Sequence, residues 1–206
     1  MTTVFSAPII GISRHRLAID GKGVTTLVAF HGCPLHCQYC LNPDSINDEI
    51  AVRVISVDEL LEQVIIDNLY FLATGGGITF GGGEPYLRSE FIECFCQSMP
   101  KEWNITIETS LNVDRSHLER LLPYIDNYII DIKDINPEIY LNYTTKSNRR
   151  MLGNLKWLSE NVSTRNVIVR LPLIKGYNTK KDVALSKKRI KEMGYTCFDE
   201  FEYIIR

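Results

Sequence analysis

The chain has 206 residues, 45% of them hydrophobic and 23% charged, with a formal net charge of -2 at pH 7. That balance describes one soluble globular domain, 1–206, with enough apolar side chains to fill a core, and it excludes the composition of a disordered chain. The charge leaves no electrostatic footprint for nucleic acid and no run reaches the length of a membrane span. The N-terminus MTTVFSAPIIGISRHR lacks the ordered charge, apolar run and cleavage site of a secretory leader, so a cytoplasmic location is expected.

The first expected strand is VTTLVAFHG, residues 24–32, which runs into HGCPLHCQYC. There Cys33, Cys37 and Cys40 give the spacing CxxxCxxC. In a reducing compartment such a clustered trio reads as metal-binding rather than as a disulfide framework. Three thiolates in one short loop can hold three corners of a [4Fe-4S] cluster and leave the fourth iron open to a small molecule, whereas ordinary electron-transfer clusters use four cysteines. A Cys3His zinc site completed by His31 or His36 is the other fitting set, although no second CxxC or HxxxH follows to complete a zinc knuckle.

A helix is expected over residues 56–74, SVDELLEQVIIDNLYFLAT, with Ser56 as its N-cap and an apolar stripe along one side. Next come a strand at 77–82 and a helix at 89–99 that carries Cys94 and Cys96. A strand at 104–110, a helix at 114–122 and a strand at 127–133 follow. A two-part helical stretch over 137–160 leads to a strand at 166–174, a helix at 180–193 and a last strand FEYIIR at 201–206. Lys187, Lys188, Arg189 and Lys191 read as the wet face of the late helix, and Cys94, Cys96 and Cys197 as buried small hydrophobes.

This alternation demands parallel strands and right-handed crossovers. Six repeats fall short of eight, so the expected fold is α/β: a partial (β/α)6 TIM-like barrel, open, with parallel strands. Reactive groups in such folds lie beyond the C-terminal strand ends, where residues 33–40, 81–84, 108–110 and 131–133 and Arg170 all fall.

The second motif is GGGITFGGGEP, residues 75–85, with six glycines within nine positions. Missing side chains let backbone groups approach a ligand closely. No GKS or GKT follows, and Glu84 stands where a phosphate loop wants a basic residue. The partly anionic edge suits a cationic group such as an amino acid's ammonium.

Together, AIDGKGVTTLVAFHGCPLHCQYCLNPDS, GGGITFGGGEPYL, IETS, IIDIK and NVIVRLPLIKGYN resemble, in order, the radical S-adenosylmethionine (SAM) superfamily and within it the activating enzymes of glycyl-radical proteins such as pyruvate formate-lyase. The resemblance implies that Cys33, Cys37 and Cys40 ligate a [4Fe-4S] cluster whose open iron is chelated by SAM. It implies that Gly82, Gly83 and Glu84 hold the methionyl amine and that Tyr39 lies near the adenine. Asp131 and Lys133 would hold the ribose and methionyl end, with Arg170 near the charged groups of SAM. Glu108 falls where the family has an aspartate that helps bind a monovalent cation. Asp20 matches a DG in the loop leading into the first strand, with Lys22 and Thr25 in place of the family's proline and arginine. Read from the residues alone, Asp131 and Lys133 could be no more than an exposed ion pair.

The implied reaction is one-electron cleavage of SAM to methionine and a 5'-deoxyadenosyl radical, with a flavodoxin- or ferredoxin-type reductant and a glycyl-radical enzyme as protein substrate. The further C-terminal residues of pyruvate formate-lyase activators lie beyond this sequence, and the segment after Cys40 is too short for an added ferredoxin-like domain. The alternative reading is a radical SAM enzyme acting on a small molecule or peptide, in the manner of 7-carboxy-7-deazaguanine synthase.

Overall fold

The computed structural model describes residues 5–17 and 19–203. They divide into two compact units. The first comprises Met1–Cys33, Asn42–Glu108 and Arg115–Asn127; the second comprises Pro34–Leu41, Thr109–Asp114 and Tyr128–Arg206.

The strands of the first unit run in the order β3-β1-β2-β4-β5: β1 is Ser6–Leu17, β2 Val24–Phe30, β3 Arg53–Ser56, β4 Gly77–Gly82 and β5 Asn104–Thr109. β2, β4 and β5 pair in parallel. β1 pairs antiparallel with both β2 and β3. The apolar alternation of β2 and β4 puts Phe30 against Phe80, rings stacked at 5.7 Å, and Phe95 of the covering helix α3 (Ser89–Ser98) meets Phe80 edge-on at 5.6 Å. Buried Ile78, Ile105 and Ile107 complete that layer. α4 (Arg115–Leu121) follows β5 and buries Leu118 and Leu121.

α1 (Val57–Val64) begins where expected. The Ser56 hydroxyl accepts from the Glu59 amide while the Glu59 carboxylate accepts from the Ser56 amide, a reciprocal box that satisfies two otherwise orphaned donors. The expected single helix over 56–74 is instead broken. A 3-10 turn, Ile65–Asp67, separates α1 from α2 (Asn68–Thr74). The reason is tertiary: Asp67 turns fully inward, where its carboxylate accepts from Arg14 and from Thr26 at 3.1 Å and meets His15 Nε2 at 2.9 Å.

In the second unit the parallel order is β6-β7-β8, with β6 Asn127–Asp131, β7 Val167–Leu173 and β8 Cys197–Glu202. The helices are α5 (Pro137–Thr144), α6 (Arg149–Asn161) and α7 (Lys180–Glu192). α5 and α6 reproduce the two-part stretch, α5 capped by Asn136, and α7 opens on a Thr179–Asp182 capping box. Buried Asn154 of α6 donates to the Leu111 and Val113 carbonyls, both at 2.9 Å, and so fixes the loop 109–114.

The α/β class and the open, mostly parallel sheet are as expected. β1 and β3 are additions, and the pairings of β1 with β2 and with β3 are antiparallel where only parallel ones were expected. The last strand is CFDEFE rather than FEYIIR, with residues 204–206 outside the described residues. Cys197 is exposed at the start of β8, and Cys94 and Cys96 are only partly buried, against the expectation of three buried cysteines.

Candidate functional site

In the first unit the anchor is the junction of β2 and β4. Phe30 stands opposite Gly82 in register, the Gly83 amide donates to the Phe30 carbonyl at 2.9 Å, and the Glu84 amide donates to the Gly32 carbonyl at 2.8 Å. The GGE run is therefore stitched to the residues just before Cys33. Gly82 has φ +92°, and a Cβ there would lie 2.8 Å from Ala29 Cα; a Cβ on Gly83 would strike the Gly32 carbonyl oxygen. Close approach of the chain to itself, and not only to a ligand, is what demands glycine here. Further bonds fix the same corner: Gly32 N to the Ser45 carbonyl at 2.7 Å, Asn42 Nδ2 to the Gly82 carbonyl at 3.2 Å, and Arg88 Nη2 to the His31 carbonyl at 3.1 Å.

Glu84 is buried, and its Oε1 accepts from the Tyr86 amide at 3.4 Å. A Cβ on Gly81 would stand 3.3 Å from Glu108 Oε2, so the Glu108 carboxylate lies directly over Gly81. Asp20 is buried as well, its carboxylate taken by Arg16 and its carbonyl accepting from the Thr79 hydroxyl in the middle of β4.

In the second unit the cysteine loop is fastened to the end of α5. His36 N donates to the Thr144 carbonyl at 3.0 Å and Gln38 N to the Tyr143 carbonyl at 3.1 Å. Cys37 and Tyr39 pack against buried Tyr143, Ile174 and Tyr203. The Tyr39 ring centroid is 6.1 Å from that of Tyr143 and 5.7 Å from that of Tyr177. The GYN turn follows from these needs. Tyr177 fills the cluster, while Asn178 accepts from Ile174 N at 2.6 Å and donates to Asp134 and the Pro172 carbonyl.

Lys133 Nζ lies 3.3 Å from Asp131 Oδ2 and 5.6 Å from the centre of the Tyr203 ring. Lys133 is 7% exposed, so this pair is not the exposed one that the residues alone allowed. Burial is the largest single effect and works against the ammonium, but Asp131, Tyr203, Cys37 and Tyr143 together outweigh it and hold Lys133 well above the usual lysine range. Burial pushes the Cys37 thiol up to about 11, against the pull of Lys133. Arg170 lies in the middle of β7 rather than at its end, in register with Asp131, and its Nε is 3.5 Å from Asp199 Oδ2 on β8.

Tyr143, Tyr203 and Asp199 went unread in the sequence, since isolated tyrosines and a strand carboxylate carry no local pattern. His36 is exposed and His31 Nε2 is 3.2 Å from the Asn47 carbonyl oxygen.

Among the described residues no three His, Cys, Asp or Glu side chains stand close enough to share one metal ion. The donor chemistry nevertheless fits an iron-sulfur cluster. Cys33, Cys37 and Cys40 are all partly accessible, none is in a disulfide, and soft thiolates are the ligand set such clusters take. Buried carboxylate Glu84 in the first unit, and the Asp131–Lys133 pair in the second, are the charges that an amino-acid moiety requires.

The Radical SAM superfamily matches residues 27–185. The (2S)-3-sulfopropanediol dehydratase activating enzyme of Klebsiella oxytoca is 30% identical, covering 84% of this chain and 74% of that protein. The pyruvate formate-lyase 2-activating enzyme of Escherichia coli is 32% identical over 85% of this chain and 70% of its own length. Among solved structures, a domain of the pyruvate formate-lyase-activating enzyme from Bacteroides vulgatus aligns with a TM-score of 0.54 at 23% identity, over 63% of this chain and 81% of that one. Streptococcus suis SuiB bound to S-adenosylmethionine aligns at 0.65 with 14% identity, over 86% of this chain and 42% of that one. These structural likenesses concern the fold.

Proposed function

Because the chain belongs to the radical SAM superfamily, we propose that it is an activating enzyme that abstracts a hydrogen atom from a glycine of a partner enzyme. The observation that carries this reading is the bonding of Gly83 and Glu84 to the residues that lead into Cys33, because it ties the edge for an amino group to the start of the cysteine trio. The activating-enzyme relatives supply the substrate class. The family match runs through both units, which supports reading 1–206 as one functional domain.

In this reading Cys33, Cys37 and Cys40 hold a [4Fe-4S] cluster, and the residues that bind SAM are Tyr39, Gly82, Gly83, Glu84, Asp131, Lys133 and Arg170. When bound, these groups supply a one-electron cleavage that leads to removal of a hydrogen atom from the substrate. The chain's own residues bind and orient. The Glu84 carboxylate accepts from the methionyl ammonium, and the Lys133 ammonium, kept charged by Asp131, faces the carboxylate. Glu108, fixed over Gly81, offers oxygen to a monovalent cation. The tyrosines around Cys37 cover part of that cysteine and limit its contact with water. Electrons come from a flavodoxin- or ferredoxin-type protein.

The test is anaerobic mixing with a candidate glycyl-radical enzyme, read by electron paramagnetic resonance. A glycine-centred signal that requires SAM is expected. SAM cleavage with no such signal on any glycyl-radical partner would redirect the reading to another substrate.

A further inference from the structure

A cavity of about 340 Å³ lies within the first unit, walled by Phe5, Arg88, Ser89, Glu90, Phe91, His117 and Arg120 among others. Arg120 is committed to Glu90 at 3.3 Å and Glu93 at 3.0 Å. Arg88 has no carboxylate among the described residues: Nη2 donates to the His31 carbonyl, and Nε is buried with no hydrogen-bond partner. A guanidinium withdrawn from water without a counter-charge is costly, and so is a buried donor without an acceptor. Beside it, buried Ser89 Oγ is 2.8 Å from His117 Nδ1. With the serine hydroxyl donating to Nδ1, the imidazole carries its proton on Nε2 and presents a donor.

We propose that this cavity binds a small oxyanion, a carboxylate or phosphate group, through Arg88 and His117, with Phe5 and Phe91 against the body of the ligand. The volume lies at the lower end of ligand sites and suits few heavy atoms. The anion supplies what the walls lack: a charge opposite the Arg88 guanidinium and an acceptor for His117. Arg88 also holds the carbonyl of His31, two residues before Cys33, so the ligand bears on the side chain that fixes the start of the cysteine loop. The inference does not rest on the proposed activity and is tested without it.

The experiment follows thermal unfolding of the purified chain, residues 1–206, at constant ionic strength while sodium chloride is exchanged for sodium phosphate or sodium acetate. A saturable rise in Tm is expected with at least one of the two, about 5–10 °C at a 100-fold excess over Kd. Which anion acts identifies the source of the oxyanion. The rise is lost in Arg88→Gln and in His117→Gln and kept in Lys188→Gln, which removes a cation that does not line the cavity. Because Arg88→Gln also breaks the bond to His31, the second readout is the imidazole resonance of His117, identified by its loss in His117→Gln, which shifts on adding the effective anion and not on adding chloride. No saturable rise with either anion, a rise that survives both cavity substitutions, or an unmoved His117 resonance would overturn the proposal.

Discussion

Lys133 Nζ stands 3.3 Å from Asp131 Oδ2, two residues back along the chain, with the lysine almost wholly buried and lying over the Tyr203 ring. Removing Asp131 leaves the cation without its compensating charge. Asp131→Asn is expected to destabilise the chain by about 2–3 kcal/mol, below the full cost for a buried pair because Asp131 is about a quarter exposed. Lys133 has a raised pKa in the folded state, so the pair's contribution is complete below the unfolded lysine value of 10.5 and disappears only as pH rises through the folded value. Urea unfolding should therefore show a gap between the wild type and Asp131→Asn at neutral pH that narrows toward pH 10, where the uncompensated Lys133 of the variant sheds its proton while that of the wild type does not.

The Cys37 thiol gives a second handle on the same cation. Burial raises it to about 11 and Lys133 lowers it. In the chain without bound metal, alkylation of Cys37 followed by mass spectrometry should accelerate with a midpoint near that value, and Lys133→Met should move the midpoint upward. A downward shift would mean that Lys133 does not act on Cys37.

Asp67 is held below its ordinary carboxylate value first by the Arg14 hydrogen bond, with Thr26 and His15 adding to it against burial. Its contribution is present above the unfolded value of 3.8 and is lost as pH falls through the lower folded one. Asp67→Asn should cost about 2 kcal/mol at neutral pH, and the gap in urea midpoints should close in acid below pH 3.8.

The glycine run separates structural from permissive positions. A Cβ at Gly83 meets the Gly32 carbonyl, whereas Gly75, the left-handed cap of α2 at φ +65°, faces open space. Gly83→Ala is expected to cost about 3 kcal/mol or more and Gly75→Ala about 1 kcal/mol, as read by chemical denaturation. Equal costs would contradict the packing assigned to Gly83.

Local chemistry was legible in the sequence where it was self-contained. The Ser56 N-cap, the bounds of β4 and the break between α5 and α6 are each specified by a few adjacent residues. β1 was not legible because it is held by β2 through two register shifts, at Ile9/Gly11 and Ser13/Arg16, which scramble its alternation. The break at Asp67 depends on Arg14, 53 residues away, and the period of the helix reads straight through it. At the candidate site the cysteines, GGE and DIK were visible as motifs. Tyr143 and Tyr203 became site residues only by packing against Cys37, and the demand for glycine at position 83 comes from a carbonyl at Gly32 that no local pattern discloses.

The central claim is tested most directly by reconstituting the chain anaerobically with iron and sulfide, reducing it, adding SAM and assaying 5'-deoxyadenosine beside a Cys37→Ala control. The account predicts product that depends on SAM and vanishes in Cys37→Ala. An intact, reduced cluster that never cleaves SAM, or a chain that refuses iron and binds zinc stoichiometrically, would contradict it.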